Sequence, residues 1–235
     1  MTTTRKQRSK YAAKQATGAA RFAVPMNARQ ERYLDALRSN QQVICFGPAG
    51  TSKTWTAASY AAELYANKDI DKIVITRPHV PVDNKGLGFL PGDIKDKVLP
   101  WALPVIEVLY RHLGKGVVDS GLRDTEDRRS SIEIAPMALI RGRTFDNCFV
   151  IADESQNLTF PEIKALVTRM GENSKLVLNG DLRQSDLKEE SGLSTLVTLI
   201  KKYGMKVPIV EFELEDVVRS DVCKQWIEVF TNEGL

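Results

Sequence analysis

The chain has 235 residues, 43% of them hydrophobic and 27% charged, with a formal net charge of +3. That is ordinary for a soluble globular protein and enough to bury a full core. No run approaches 18 apolar residues, so no membrane-spanning helix and no membrane partner are expected. Cys45, Cys148 and Cys223 form no C-x-x-C pair, which suits thiols used as small core residues in a reducing cytosol.

Residues 1–24 carry Arg5, Lys6, Arg8, Lys10, Lys14 and Arg21 and no acid, while the body beyond is slightly acidic. The segment reads as a disordered arm for nucleic acid, as a bland solvated terminus, or as a transit peptide. Asn27 is placed to cap a helix from Ala28 to Leu37, where Tyr33, Leu34 and Leu37 recur at helical spacing. Residues 43–56 then read as strand, loop and helix. The loop Gly47, Pro48, Ala49, Gly50, Thr51, Ser52, Lys53, Thr54, followed by Trp55, nearly matches G-x-x-x-x-G-K-[ST]. In that pattern backbone N–H groups cradle phosphates, the lysine reaches the β/γ-phosphates and the hydroxyl holds Mg²⁺, with added help from the helix N-terminus. Ser52 stands where the second glycine is expected. If the position needs positive φ, a side chain costs roughly 1 kcal/mol or more and the loop binds weakly; if it takes an α-region dihedral, little is lost.

The helix 53–67 ends at Asn67-Lys68-Asp69, and a strand from Asp71 to Thr76 runs into Arg77-Pro78. A helix between two apolar strands is a βαβ unit and argues for a parallel sheet. Residues 79–130 interrupt the alternation with a loop at 86–92, helices over 93–113, and a surface hairpin or flexible insertion at 114–130. This insertion serves either as a partner surface or only as a long loop. Then follow a short strand at 131–135, a short helix or turn at 137–140, a strand 147–152, and a helix that Thr159 caps, Pro161 starts and Gly171 stops after Met170. Strand 175–179, helix 192–203, strand 209–212 and helix 219–231 complete the pattern.

Phe149-Val-Ile-Ala-Asp153-Glu154 is an apolar strand ending in two acids. Asp153 can hold Mg²⁺ through its water shell, and Glu154 can orient the attacking water and take its proton. Acid pairs after strands also arise by chance; the preceding phosphate loop is what favours the functional reading. Gly180-Asp181-Leu-Arg-Gln184 follows another apolar strand, where Gln184 serves either as a γ-phosphate sensor or as part of a turn and helix cap.

Gly47-Pro-Ala-Gly-Thr-Ser-Lys-Thr54, Ile75-Thr-Arg-Pro78, Gly88-Phe-Leu-Pro-Gly-Asp93, Ala135 to Thr144, Ile151 to Asn157, Gly180 to Leu187 and Asp216-Val-Val-Arg219 together resemble the PhoH-like ATPases, in unbroken order over about 27–231. The resemblance implies the ATPase core of superfamily 1 helicases, a link to RNA metabolism and, in some members, to phosphate starvation. It also implies an adenine-sensing role for Gln30. Departures are Ser52 for glycine, Ala152 before the acid pair and Ser155 for alanine, of which only the first bears on activity. Short single-domain forms of this kind look like those of phages, so the cytosol of a bacterium or of a phage-infected host is the expected location.

These readings converge on an α/β fold: a RecA-like P-loop NTPase domain at 25–235 with a mainly parallel central sheet flanked by helices, plus the basic disordered tail. The expected function is Mg²⁺-dependent ATP binding and hydrolysis coupled to RNA or single-stranded nucleic acid. Lys53, Glu154, Gln184 and Arg219 are the expected catalytic residues, Thr54 and Asp153 the metal ligands, and Arg77, Arg141 and Arg143 the basic surface. One alternative is a nucleotide-binding scaffold disabled by Ser52. Another, a nucleotide kinase, is disfavoured by the helicase-type acid and Gly-Asp-x-x-Gln motifs. The chain is too short to contain a second core domain that would supply an arginine to the γ-phosphate, so a neighbouring subunit in a homo-oligomer, a hexameric ring, is expected to supply it. Arg219 is the first candidate and Arg143 the second, each against the alternative of a structural salt bridge.

Overall fold

The computed structural model describes residues 20–78, 94–123, 130–184 and 191–233. Segments 1–19, 79–93, 124–129 and 185–190 lie outside the described residues, and with them most of the basic tail and the 86–92 loop. The chain runs α1 (Ala28–Ser39), β1 (Gln42–Phe46), α2 (Lys53–Ala66), β2 (Lys72–Thr76), α3 (Ile94–Leu113), α4 (Lys115–Arg123), β3 (Ile132–Ile134), β4 (Cys148–Ala152), α5 (Phe160–Val167), β5 (Lys175–Gly180), α6 (Gly192–Tyr203), β6 (Ile209–Glu211) and α7 (Asp221–Glu233). Six strands form one sheet in the order β3-β2-β4-β5-β1-β6, and every pairing is parallel.

A parallel sheet buried on both faces needs strands that are apolar throughout, because alternate side chains enter two different cores. Cys45, Ile73, Ile75, Phe149, Ile151 and Val177 face one core with α1, α2 and α3. Ile44, Phe46, Val74, Val150, Leu176 and Leu178 face the other with α5 and α6. The strands end in two level pairs: Thr76 of β2 pairs with Ala152 of β4, which lies opposite Leu178, and Phe46 of β1 pairs with Gly180, two residues further along β5. The residues that follow β1, β2, β4 and β5 therefore emerge along one edge. The acid-bearing strand β4 is not adjacent to β1, since β5 lies between them.

Several sequence expectations need correction. Residues 115–123 are helical rather than a hairpin or flexible insertion, and Val118 and Gly121 are buried; α4 packs on β3, where a Cβ at Gly121 would meet Ser131 Oγ at 2.8 Å. The helix expected to reach Met170 ends at Val167, because Met170 pairs with Phe145 as an isolated parallel bridge and the Gly171 N–H donates to the Phe145 carbonyl. The end of the expected tail is tied to the body: the Ala20 N–H donates to Asn67 Oδ1 at 3.0 Å, the Phe22 N–H donates to Glu63 Oε2 at 3.2 Å, and Phe22 stacks on His112. Asn27 does cap α1, the Gln30 N–H donating to its Oδ1 at 2.8 Å.

Arg143 is a structural residue. Its guanidinium grips Glu133 on β3 through two bonds of 2.5 and 2.9 Å, Lys72 joins at 3.3 Å, and the same guanidinium lies over the Phe145 ring. It is therefore not free to reach a neighbour or nucleic acid. Burial alone would raise the Glu133 carboxyl, but the hydrogen bonds and charges of Arg143 and Lys72 outweigh it and hold the group below the usual carboxylate range. A carboxylate whose folded pKa is depressed contributes stability above its unfolded pKa, and that contribution is lost as pH falls through the folded value. Glu133→Gln, which leaves Arg143 half-buried and unpaired, is expected to cost about 3 kcal/mol at pH 7. The gap to the wild type should shrink below about pH 4, as urea unfolding at several pH values will measure.

Candidate nucleotide site

The loop between β1 and α2 is shaped by two glycines in conformations that strain any other residue. Gly47 has φ +143°, and a Cβ there would collide with the Phe212 carbonyl oxygen. Gly50 has φ +83° and backs directly onto the Arg219 side chain. Ser52 adopts φ 68°, ψ 24°, in the left-handed region, and makes no capping bond with its side chain. The position therefore does require the glycine-type conformation, and serine adopts it at a cost of roughly 1–2 kcal/mol. The α-region alternative does not hold.

Lys53 folds back over the loop, donating to the carbonyls of Gly47 and Pro48 at 2.7 and 2.8 Å. Burial lowers its pKa, opposed by the nearby charges of Asp181, Asp153 and Glu154. Thr54, one residue into α2, reaches across the end of β5, and its hydroxyl donates to Asp153 Oδ1 at 2.8 Å. Asp153 is held by backbone as well, its N–H donating to the Thr76 carbonyl. Burial, and then the charge of Glu154, push its carboxyl up to about 6 despite the Thr54 bond, Arg77 and Lys53. A carboxylate so short of positive charge beside a hydroxyl fits a divalent cation that keeps most of its ligands from phosphate and water. Among the described residues no group of three or more His, Cys, Asp or Glu makes a metal site by protein ligands alone.

These groups line one cavity of about 340 Å³, together with Trp55, Pro104, Glu154, Asp181, Gln184 and Arg219. Trp55 is 37% exposed, with the Arg111 guanidinium 5.5 Å from its ring centre. Asp181, raised by burial, sits at the end of β5. The cavity thus gathers residues from several strand ends and the first turn of α2.

Three residues stand elsewhere than the sequence suggests. Arg219 lines its own chain's cavity: the Val218 N–H donates to the Gly50 carbonyl at 2.9 Å, bringing the arginine onto the loop. It does not need a neighbour to reach the site, which removes the motive for placing it in trans. Gln30 is buried beneath the loop, its amide donating to the Thr51 carbonyl at 3.3 Å and accepting from the Met26 N–H at 2.8 Å; it braces the loop instead of facing the cavity. Arg77 pairs with Glu154, Nη2 to Oε1 at 3.1 Å, while Arg141 is exposed. The sequence pattern gave no role to Gln156, Asp181 or Pro104. Asp181 was within reach, since it follows an apolar strand, but nothing local marks Gln156 or Pro104.

A glycine-shaped loop that opens a helix, with a hydroxyl and a strand-end carboxylate in contact across an all-parallel sheet, defines a P-loop NTPase fold. The UvsW helicase from bacteriophage T4 superposes with a TM-score of 0.53 at 13% identity, covering 90% of this chain and 69% of that one, a likeness of fold alone. The family model described as PhoH-like protein matches residues 23–231, and the chain belongs to the PhoH-like protein family. Protein PhoH of Escherichia coli (strain K12) is 43% identical over 207 residues, 87% of this chain and 57% of that protein. The PhoH-like protein of Bacillus subtilis (strain 168) is 39% identical over 207 residues, 87% and 63% of the two chains. The chain thus spans about three-fifths of the length of the curated relatives it matches.

Replacing Ser52 by glycine should relieve the left-handed strain and raise unfolding free energy by up to about 1 kcal/mol, less what the more flexible unfolded chain takes back. Ser52→Ala, equally strained, should change it little. Urea unfolding of the two variants measures both effects, and a destabilised Ser52→Gly would show that the serine is an adapted part of the loop.

Proposed function

We propose that the chain binds ATP with Mg²⁺ and hydrolyses it, and that this activity is coupled to RNA or single-stranded nucleic acid. The observation that carries the reading is the 2.8 Å contact of Thr54 with Asp153, next to Glu154. A hydroxyl from the phosphate-loop helix and an acid from a second strand converge where a triphosphate's cation belongs. Loop N–H groups and Lys53 take the phosphates, and the lysine exchanges its two carbonyl partners for phosphate oxygens. Thr54 and Asp153 would hold the magnesium ion, which supplies charge neutralisation to the β- and γ-phosphate oxygens when bound. Glu154 accepts the proton of the attacking water, while Gln184 and Arg219 bear on the γ-phosphate side from within the same chain. The scaffold reading is disfavoured, because Ser52 takes up the glycine-type conformation and the loop keeps its shape.

Nucleic acid is favoured by the acid-free basic segment at the N-terminus and by the exposed Arg141. Self-association is supported by a different feature. Helix α7 turns Val222, Trp226, Val229 and Phe230 outward on one stripe, with Trp226 55% exposed and stacked on Phe230. An outward apolar stripe of this size marks a contact surface.

Lys53→Ala is expected to abolish ATP binding, whereas Glu154→Gln keeps binding and loses turnover, because the lysine acts in the ground state and the glutamate only in the chemical step. Equilibrium nucleotide binding alongside steady-state ATPase assays separates the two; retained turnover in Glu154→Gln would sink its assignment. Deleting residues 1–19 should flatten the salt dependence of single-strand binding, by about 0.7 in slope for each backbone phosphate that the segment neutralises. An unchanged slope would place the basic surface elsewhere.

A further inference from the structure

Glu154 is held more tightly than a water-activating carboxylate needs to be. Its side chain is 41% exposed, yet both oxygens are engaged: Arg77 Nη2 lies 3.1 Å from Oε1, and Gln156 Nε2 donates to Oε2 at 2.7 Å. Its backbone lies in the left-handed region, φ 52° and ψ 37°, which a non-glycine residue adopts only where its surroundings impose it. Gln156 is fixed in turn, its Oε1 accepting the Asp181 N–H at 3.0 Å. Arg77 has the more exposed position. It follows β2, its side chain is 30% exposed, and its other terminal nitrogen donates to the Trp101 carbonyl in α3 at 3.0 Å. One guanidinium therefore joins the strand edge, the acid after β4 and the helix that brings Pro104 to the cavity.

We propose that Arg77 is a latch on Glu154, closed in the resting protein and opened by single-stranded nucleic acid, whose backbone phosphate draws the guanidinium away. This rests on the ATPase reading above and specifies how that site is regulated. In the closed state each oxygen of Glu154 already serves one donor, Arg77 or Gln156, with which the attacking water has to share it. A half-exposed ion pair is only weakly favourable in water, so a competing anion can open it. A phosphate offers the guanidinium the same two-oxygen geometry as a carboxylate. Arg141 adds an exposed positive charge in the segment after β3, which is tied to the end of β2 by the Ala135 N–H donating to the Ile75 carbonyl. Release moves no covalent bond; it returns a carboxylate oxygen to water.

Steady-state ATPase of the full chain, with and without oligouridylate or oligothymidylate, tests the latch in the wild type and in Arg77→Ala, Arg77→Gln and Arg77→Lys. Basal kcat of the Ala and Gln variants should rise to the rate of nucleic-acid-saturated wild type, with KM for ATP unchanged and no further stimulation. The Lys variant keeps the charge but not the fork, so its basal kcat should fall between those of the wild type and the Ala variant and remain stimulable. A fall in basal kcat in both the Ala and Gln variants would mean that Arg77 only supports Glu154, and overturns the proposal. So does stimulation that persists in them at the wild-type ratio. Variants that rise while neither oligonucleotide stimulates the wild type overturn nucleic acid as the trigger and point to a protein at α3. Turnover in the wild type with no gain in the variants removes the latch alone, whereas chains that all bind a fluorescent ATP analogue and never turn over remove the ATPase reading and the latch together.

Discussion

The shared register of four parallel strands is the constraint on which the site depends. Because all four run parallel, β2 and β4 ending level and β1 and β5 ending together two residues further on, Arg77, Asp153, Asp181 and the phosphate loop leave the sheet along a single edge. Strands sit about 4.8 Å apart, so the interval across β5 from β1 to β4 is about 10 Å, too wide for a direct contact between the loop and the acid strand. The first turn of α2 bridges it. Thr54 reaches Asp153 only because α2 starts above the end of β5, and Gly47 is what lets the chain turn there under Phe212.

The charges around this edge are arranged as a closed set waiting for a polyanion. Lys53 is turned onto loop carbonyls, Arg77 onto Glu154, and Arg219 lies against Gly50, while Asp153 and Asp181 are driven up by burial. Lys53 and Arg77 thus have provisional partners that a phosphate can replace. The acids by contrast gain nothing from a bare anion; in the proposed reading the accompanying cation would offset their charge. That asymmetry is why the arrangement suits a nucleotide with its metal better than a bare anion.

Membership of the PhoH-like family sets the frame, and the departures within it are physically local. Ser52 keeps the loop's shape by accepting a dihedral that glycine would take without strain. The stretch matched here covers 57% and 63% of two of the family relatives. Within this chain Arg219 is supplied to its own site by the turn at 214–216 and by the Val218 bond to Gly50. A neighbouring subunit is not needed to bring an arginine to the cavity.

What the sequence determined by itself was most of what depends on short-range pattern, the helix over 115–123 excepted, where glycines and charges suggested a hairpin. Continuous apolar runs announced the doubly buried parallel strands, Asn27 its helix, the stretch from Gly47 to Thr54 its loop, and the acids after Ala152 the facing edge, since each follows from dihedral preference or periodicity within a few residues. Tertiary structure decided the rest, because it turned on distances between segments far apart in the chain. Nothing near Arg143 predicts that Glu133 will hold it, nothing near Arg77 that Glu154 will, and nothing near Met170 that Phe145 will end its helix early by pairing with it. Ser52 lies between the two: the motif marked it as the exception, but only the packing of the loop against Gln30 and Arg219 decided that its φ would be positive.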